Sequence, residues 1–269
     1  MEKVRIQKVL SESGVASRRA VEEMILAGRI TVNGELVTRL PCFVDPRQDD
    51  VRLDNQPVRK RPPPRVHYLL NKPKGVVSTP TDVQGRPRAI DALPLEAGQR
   101  VYCVGGMDAE TTGLIILTND GELTQLLTHP KHGISQKYVA EIDGQLTPET
   151  IAQLKGGVRT PEGRMPGMNV RVEIASAVRS FVELELTNPR HVDVREVLEL
   201  LGHKVRRLRR VSIGPLTDRG LKVGHYRPLA AREVEHLKQI AQRGGRNVLA
   251  RPRPKARPRR RPNDAAGEQ

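Results

Sequence analysis

Three consecutive prolines, Pro62, Pro63 and Pro64, flanked by Arg59, Lys60, Arg61 and Arg65, set the strongest constraint on how this chain folds. Proline fixes φ and lacks an N–H donor, so neither a helix interior nor a central strand crosses such a run. The run favours an extended, semi-rigid spacer between two separately folded pieces. The expected division is a front domain over residues 1–57, a linker over 58–66, a main domain over 67–242 and a tail over 243–269.

Charge narrows the partners. The 269 residues carry a formal net charge of +15, and a surplus of that sign points to a polyanion, most simply the phosphates of a nucleic acid. No apolar run approaches the length that spans a bilayer, and Met1 to Arg5 leads into no apolar signal core. A cytoplasmic protein without a membrane partner is expected, and a monomer. The two cysteines, Cys42 and Cys103, are far apart, and the seven histidines show no ligand spacing. Neither a metal nor another cofactor is expected. With no Trp, four Tyr and two Phe, the composition argues against a base-stacking aromatic sheet of the kind that common single-strand RNA modules use.

In the front piece Ile6, Val9 and Leu10 fall on one helical face, and Gly14 ends that helix. Ser17 caps a second helix whose inner side carries Val21, Met24 and Ile25, closed by Gly28. Ile30 to Val32, followed by Asn33-Gly34, reads as a strand entering a type I′ hairpin turn. Lys8, Arg18, Arg19 and Arg29 gather at helix ends, where cations grip phosphates. This order resembles the S4 RNA-binding domain across roughly thirty positions. The resemblance implicates Ser17, Arg18, Arg19, Arg29 and Asn33 in docking on structured RNA.

In the main piece strands are interleaved with few helices and without regular βαβ repetition, which predicts an α+β domain around a mainly antiparallel mixed sheet. Residues 66–79 read as strand, turn, strand, with the cations Lys72 and Lys74 at the turn as expected RNA contacts. Residues 137–142 alternate as a half-buried strand does, with Tyr138 near its start, and residues 193–201 have helical spacing. Val205–Ile213 is a strongly basic strand, and its Arg206, Arg207, Arg209 and Arg210 suggest a phosphate-contacting face. From Gly244 onward the Pro- and Arg-rich chain has too little apolar surface to fold alone, and a disordered arm is expected there. Asp108 lies in a Gly-rich approach, Gly105-Gly106-Met107, to the apolar strand Leu114 to Leu117. A carboxylate in that setting is either a turn cap or a catalytic group.

Several motifs occur in one order: Asn71-Lys72-Pro73-Lys74-Gly75, Gly85-Arg86-Pro87, and Gly-x-x-Asp-x-x-Thr-x-Gly-Leu from Gly105 to Leu114. Asn119-Asp120-Gly121, His129-Pro130, Lys137-Tyr138, Gly202-His203-x-Val205 and Arg209-Arg210-Val211-x-Ile213-Gly214 follow. With the S4-like start, this set resembles the ribosomal pseudouridine synthases, the family that groups the small-ribosomal type A enzymes with the large-ribosomal types B, E and F. The likeness is nearest to type B. It implies isomerisation of a uridine in ribosomal RNA, by preference the 23S RNA of the large subunit, without redox cofactor or metal. The substrate is either free rRNA or a ribosome-assembly intermediate. The resemblance places the essential carboxylate on Asp108, its cationic partner on Arg195 and the base-packing tyrosine on Tyr138, and it adds Arg190 to the RNA contacts. Two departures stand out. The family has Arg-Leu where this chain has Gly106-Met107, and that arginine intrudes into the RNA. In the later motif, Asp193 and Glu196 are unusual, and they either compete with Asp108 for Arg195 or form local helix pairs. These departures leave open an alternative, a catalytically weakened or inactive homologue acting as an RNA-binding assembly factor. A general nucleic-acid binder using charge alone is opposed by the ordered motifs.

Overall fold

The computed structural model describes residues 3–58, 63–95, 99–161, 163–187 and 193–244. Part of the proline linker and the arm expected beyond Gly244 lie outside them. The front piece begins with β1 (Val4–Arg5), α1 (Ile6–Glu12) and α2 (Arg18–Leu26). It continues through β2 (Ile30–Val32), β3 (Glu35–Leu36), β4 (Phe43–Val44), β5 (Val51–Leu53) and β6 (Gln56–Pro57). Ser17 caps α2 by accepting the backbone N–H of Ala20 at 3.2 Å. Asn33 and Gly34 take φ of 52° and 86°, the paired positive values that a type I′ turn requires, so β2 and β3 form a tight hairpin. The two helices close over a four-stranded antiparallel sheet of order β3-β2-β5-β6. Ile6, Leu10, Val21, Ile25, Ile30, Val44 and Val51 form its core.

The main piece runs through β7 (His67–Lys72), a 3-10 turn (Ala89–Ala92), β8 (Tyr102–Cys103), β9 (Thr112–Thr118) and α3 (Gly121–Thr128). Next come β10 (Ser135–Asp143), α4 (Pro148–Gly156), β11 (Arg159–Thr160), β12 (Gly163–Arg164), β13 (Asn169–Ala175) and β14 (Arg179–Thr187). The last elements are α5 (Val194–Leu200), β15 (Val205–Ile213), β16 (Leu216–Thr217), β17 (Tyr226–Pro228) and α6 (Ala231–Gln242). Nine of these strands form one mixed sheet of order β13-β14-β10-β15-β9-β7-β17, with β16 beside β15 and β8 beside β9. Among its described pairings all are antiparallel except β15 with β9, which is parallel. The fold is therefore α+β on a mainly antiparallel mixed sheet.

Strand β9 explains why its sequence is an unbroken apolar run. Leu114 and Ile116 pack with Leu123 and Leu127 of α3 and Leu237 of α6, while Ile115 and Leu117 pack with Ala89, Val101 and Met107. Burial on both faces removes the polar alternation that a half-exposed strand shows. A third cluster joins Tyr138, Ala140 and Ile142 of β10 to Leu154 of α4 and Val194, Val197 and Leu198 of α5. This packing fixes α5, and hence Arg195, against the sheet. The second strand expected within 66–79 does not form; Val77 makes only an isolated bridge with Arg88. The segment after β7 instead folds under the loop that carries Asp108. Polar contacts tie the pieces of the chain together. Arg100 Nη1 donates to the Val15 carbonyl at 2.8 Å, and Arg65 at the end of the linker meets Asp120 at 3.3 Å and Glu122 at 3.1 Å.

Candidate active site

Asp108 sits in the loop between β8 and β9, four residues before the central strand begins. The loop is pinned from below. Ser78 Oγ donates to the Met107 carbonyl at 2.8 Å and accepts the Met107 N–H at 2.9 Å, and the Met107 side chain is buried. The Gly75 N–H donates to the Ala109 carbonyl at 2.7 Å. Lys72 is fully buried, and its ammonium reaches the carbonyls of Val76 at 2.7 Å, Pro73 at 3.2 Å and Ala109 at 3.5 Å. Burial lowers the Lys72 pKa to about 8, although the nearby Asp108 charge acts in the opposite direction.

The Asp108 carboxylate faces outward from this platform, about a third exposed. It accepts the backbone N–H of Thr111 on one oxygen and the Thr111 hydroxyl, at 2.7 Å, on the other. The first bond is the i to i+3 geometry of a capping aspartate. Asp108 is thus a turn cap, and the cap holds its carboxylate still. Arg195 Nε lies 3.6 Å from Asp108 Oδ2, and Arg195 Nη1 donates to the Val205 carbonyl at 3.1 Å. Burial alone would raise the Asp108 pKa. The neighbouring Asp193, the hydrogen bonds from Thr111 and the Arg195 charge outweigh it, so the carboxyl titrates below its usual range and is ionised at neutral pH.

Tyr138 is buried on β10, and its hydroxyl donates to Gln136 Oε1 at 3.0 Å. Arg210 Nη1 donates to the same Gln136 oxygen at 3.1 Å and to the Tyr138 hydroxyl at 3.3 Å. Arg210 Nε donates to the Leu114 carbonyl at 2.6 Å. Its register partner on β9 is Gly113. The tyrosine is therefore locked to the seam between β9 and β15 that also sets the height of the Asp108 loop.

Two residues expected among the phosphate contacts are corrected by this geometry. Lys72 and Arg210 are 0 % and 3 % exposed, and their donors are committed to protein carbonyls and side chains inside the sheet. They support the site from beneath. The other arginines of β15 carry acidic neighbours: Arg206 pairs with Asp143, Arg207 lies 3.5 Å from Glu141, and Arg209 lies 2.5 Å from Asp218. That strand is less cationic than its sequence suggests, with Arg207 the most exposed of the set. Lys74 is exposed beside the loop and pairs with Glu110 at 2.8 Å. In the front piece Arg18 and Arg19 are exposed on the first turn of α2. Lys8 pairs with Glu12 at 3.8 Å, and Arg29 forms a forked pair with Asp54. Asn33 closes its hairpin onto Asp49 and the Asp50 N–H at 2.9 and 2.8 Å. Arg190 lies outside the described residues.

Glu196 is exposed on α5 and forms no ion pair with Arg195 among the described residues. Asp193 shares Arg195 with Asp108, since the guanidinium charge acts on both carboxyls. It caps α5 by accepting the Arg195 backbone N–H at 2.8 Å, and burial together with the neighbouring Asp108 raises its carboxyl to about 7. Sequence reading gave no role to Ser78, Thr111 or Gln136. Thr111 had a signal, since Asp-x-x-Thr is a capping spacing; Ser78 and Gln136 depend on tertiary contacts that no local pattern announces.

The comparisons with known proteins agree with this architecture. Residues 66–247 match the family model described as RNA pseudouridylate synthase, and residues 4–40 match the S4 domain. The chain is 36% identical to the ribosomal large subunit pseudouridine synthase B of Bacillus subtilis over 89% of its length and 98% of that protein. It is 32% identical to the identically named Yersinia pestis protein, over 88% of this chain and 76% of that one. A crystal structure of a pseudouridylate synthase superposes with a TM-score of 0.61 at 25% identity, covering 87% of this chain and 99% of the other. A family match over most of the chain, laid on a sheet that presents a pinned, ionised aspartate beside an arginine, has one meaning: this chain belongs to the RNA pseudouridylate synthases, which are isomerases, and it carries an S4 RNA-binding domain ahead of the catalytic fold.

Proposed function

We propose that this enzyme converts one uridine of large-subunit ribosomal RNA to pseudouridine, with Asp108 as the essential group. The observation that carries the proposal is the Asp108 carboxylate itself: ionised, partly open to solvent, held by Thr111 and set 3.6 Å from Arg195. The reaction is an isomerisation. The bond from uracil N1 to C1′ breaks, the base turns, C5 bonds to C1′, and the C5 proton is lost while N1 gains one. Nothing is oxidised or reduced. An ionised carboxylate serves either as nucleophile at C1′ or as base toward the 2′ proton. Both routes need the target nucleotide out of its stack, because sugar and C5 are otherwise shielded. Tyr138 supplies a flat, immobile face for the extruded base, and Arg195 keeps the carboxylate charged.

Arg18, Arg19, Lys74 and Arg207 are the exposed cations best placed to follow an RNA backbone. The large subunit is favoured by the named relatives of the B type. The test is a map of pseudouridines in ribosomal RNA from cells lacking the gene, with complementation. One large-subunit pseudouridine should vanish and return with wild type but not with Asp108→Ala, whose turnover should fall more than about 1,000-fold in vitro. An unchanged map would favour the assembly-factor alternative.

A further inference from the structure

The loop that carries Asp108 is supported unevenly along its length. After Asp108, the carboxylate accepts from the Thr111 N–H and the Thr111 hydroxyl. There too the Ala109 carbonyl accepts from the Gly75 N–H at 2.7 Å and the Lys72 ammonium at 3.5 Å. Before Asp108, the chain arrives from Val104 through Gly105 and Gly106, two residues with no side chain to pack, and Gly105 has φ of 76°. A glycine pair leaves the backbone torsions loose unless something outside the loop fixes them. Among the described residues, the hydrogen bonds that reach residues 105–107 come from Ser78. Its hydroxyl donates to the Met107 carbonyl at 2.8 Å and accepts the Met107 N–H at 2.9 Å.

We propose that Ser78 is a positioning residue for the isomerisation, its hydroxyl fixing the backbone one residue before Asp108 and so the placement of the carboxylate. The proposal rests on the reading of Asp108 as the essential group. The N–H and carbonyl of Met107 belong to the two rigid peptide planes on either side of it, and the second plane contains the Asp108 nitrogen. One hydroxyl bonded to both groups therefore sets both torsions of Met107. The buried Met107 side chain fixes where the residue sits, yet leaves those planes free to tilt. Ser78 is itself held in place. Val77 is buried, its N–H donates to the Pro87 carbonyl at 2.9 Å, and its carbonyl accepts the Ala89 N–H at 2.8 Å. The single proton of the Ser78 hydroxyl is committed to Met107, so the serine acts through the backbone and not on RNA.

A direction follows for each kinetic parameter. Without the hydroxyl, both Met107 peptide groups turn to water and the plane leading into Asp108 tilts. Misplacing a reacting group by about 1 Å costs about 100-fold in rate, and the Thr111 cap, which remains, makes the expected loss smaller. The exposed cations Arg18, Arg19, Lys74 and Arg207 make no hydrogen bond with Ser78 among the described residues, so affinity for RNA is expected to stay. A loss in kcat with KM unchanged is the mark of a contact expressed in the transition state.

The experiment measures kcat and KM on an rRNA fragment holding the modified uridine, with thermal melting, for wild type, Ser78→Ala and Ser78→Thr. Ser78→Ala should lose about 10- to 50-fold in kcat while KM stays within about twofold. Its melting temperature should stay within about 4 °C of wild type. Ser78→Thr keeps the hydroxyl and should recover kcat to within about threefold of wild type. Unchanged kcat in Ser78→Ala, a loss carried by KM, or a loss that Ser78→Thr does not rescue would overturn the proposal. Asp108→Ala, run alongside, keeps the two readings apart: if it is inactive those outcomes strike Ser78 alone, and if it is active the reading of Asp108 falls. Should Ser78→Ala fail to fold, amide hydrogen exchange of wild type decides. A protected Met107 N–H supports the proposal, and one that exchanges as fast as an exposed loop amide defeats it.

Discussion

Gly106 shows how far one residue's departure reaches. The family resemblance implies an arginine here, two positions before Asp108, and a Cβ built at Gly106 meets nothing within 4 Å, while its φ is not in the left-handed region. The position is open, in contrast with Gly105, whose φ of 76° favours glycine. Gly106→Arg should therefore change folding stability by less than about 0.5 kcal/mol. It should keep turnover at or above wild type, because it adds a cation toward RNA and touches no partner of Asp108. Thermal denaturation and single-turnover kinetics check both halves; loss of activity would mean that the pocket is rebuilt around glycine. The residues at this scale divide by how locally they act. Asp108 and Arg195 were legible because motif order marks them. The Ser78 grip on Met107 was not, because the two residues lie 29 positions apart and no local pattern joins them.

Between elements, the seam of β9 with β15 is the tightest joint near the chemistry. Gly113 has φ of 105°, and a Cβ there would lie 2.2 Å from the Arg210 carbonyl oxygen. Both obstacles are backbone, so neither yields to a rotamer change. Gly113→Ala should destabilise the protein by about 3 kcal/mol or more. Partly folded material should show the loss first at β9 and β15 by amide hydrogen exchange. A variant with an unchanged melting temperature would show that the seam tolerates separation. At this scale the sequence was readable where burial leaves a period, as in the alternation of β10 and the helical spacing of α5, and at the Ser17 cap. It was misleading at Val76 to Thr79, where β-branched residues suggested a strand. Those residues form no ladder, since Lys72 and Ser78 turn the segment toward the Asp108 loop. It was also misleading on β15. A basic strand reads as a phosphate surface until its neighbours are known, and here β10, with Glu141 and Asp143, lies alongside it.

Over the whole molecule, charge is distributed so that recognition and chemistry separate. The net charge is +15, but Arg29, Arg206, Arg207 and Arg209 each have a carboxylate partner in the folded part. Exposed pairs of this kind contribute little to stability and dilute the local field. Eight of the 46 Lys and Arg residues follow Gly244, with two acidic residues among them. That segment therefore holds an outsized share of the unbalanced charge. Counterion release makes each phosphate contact worth roughly 0.7 to 0.9 in the slope of log affinity against log salt, whatever the sequence bound. Deleting residues 245–269 should lower that slope by several units and weaken RNA binding most at low salt. The same deletion should leave the modified uridine unchanged, because Asp108 lies on the loop before β9, Tyr138 on β10, Arg195 on α5, and Arg18 and Arg19 on α2. Fluorescence titrations from about 50 to 200 mM salt, paired with pseudouridine mapping, test both clauses. An unaltered slope would assign the binding charge to the folded domains, and a changed modification site would give the segment a part in selection that charge alone does not confer.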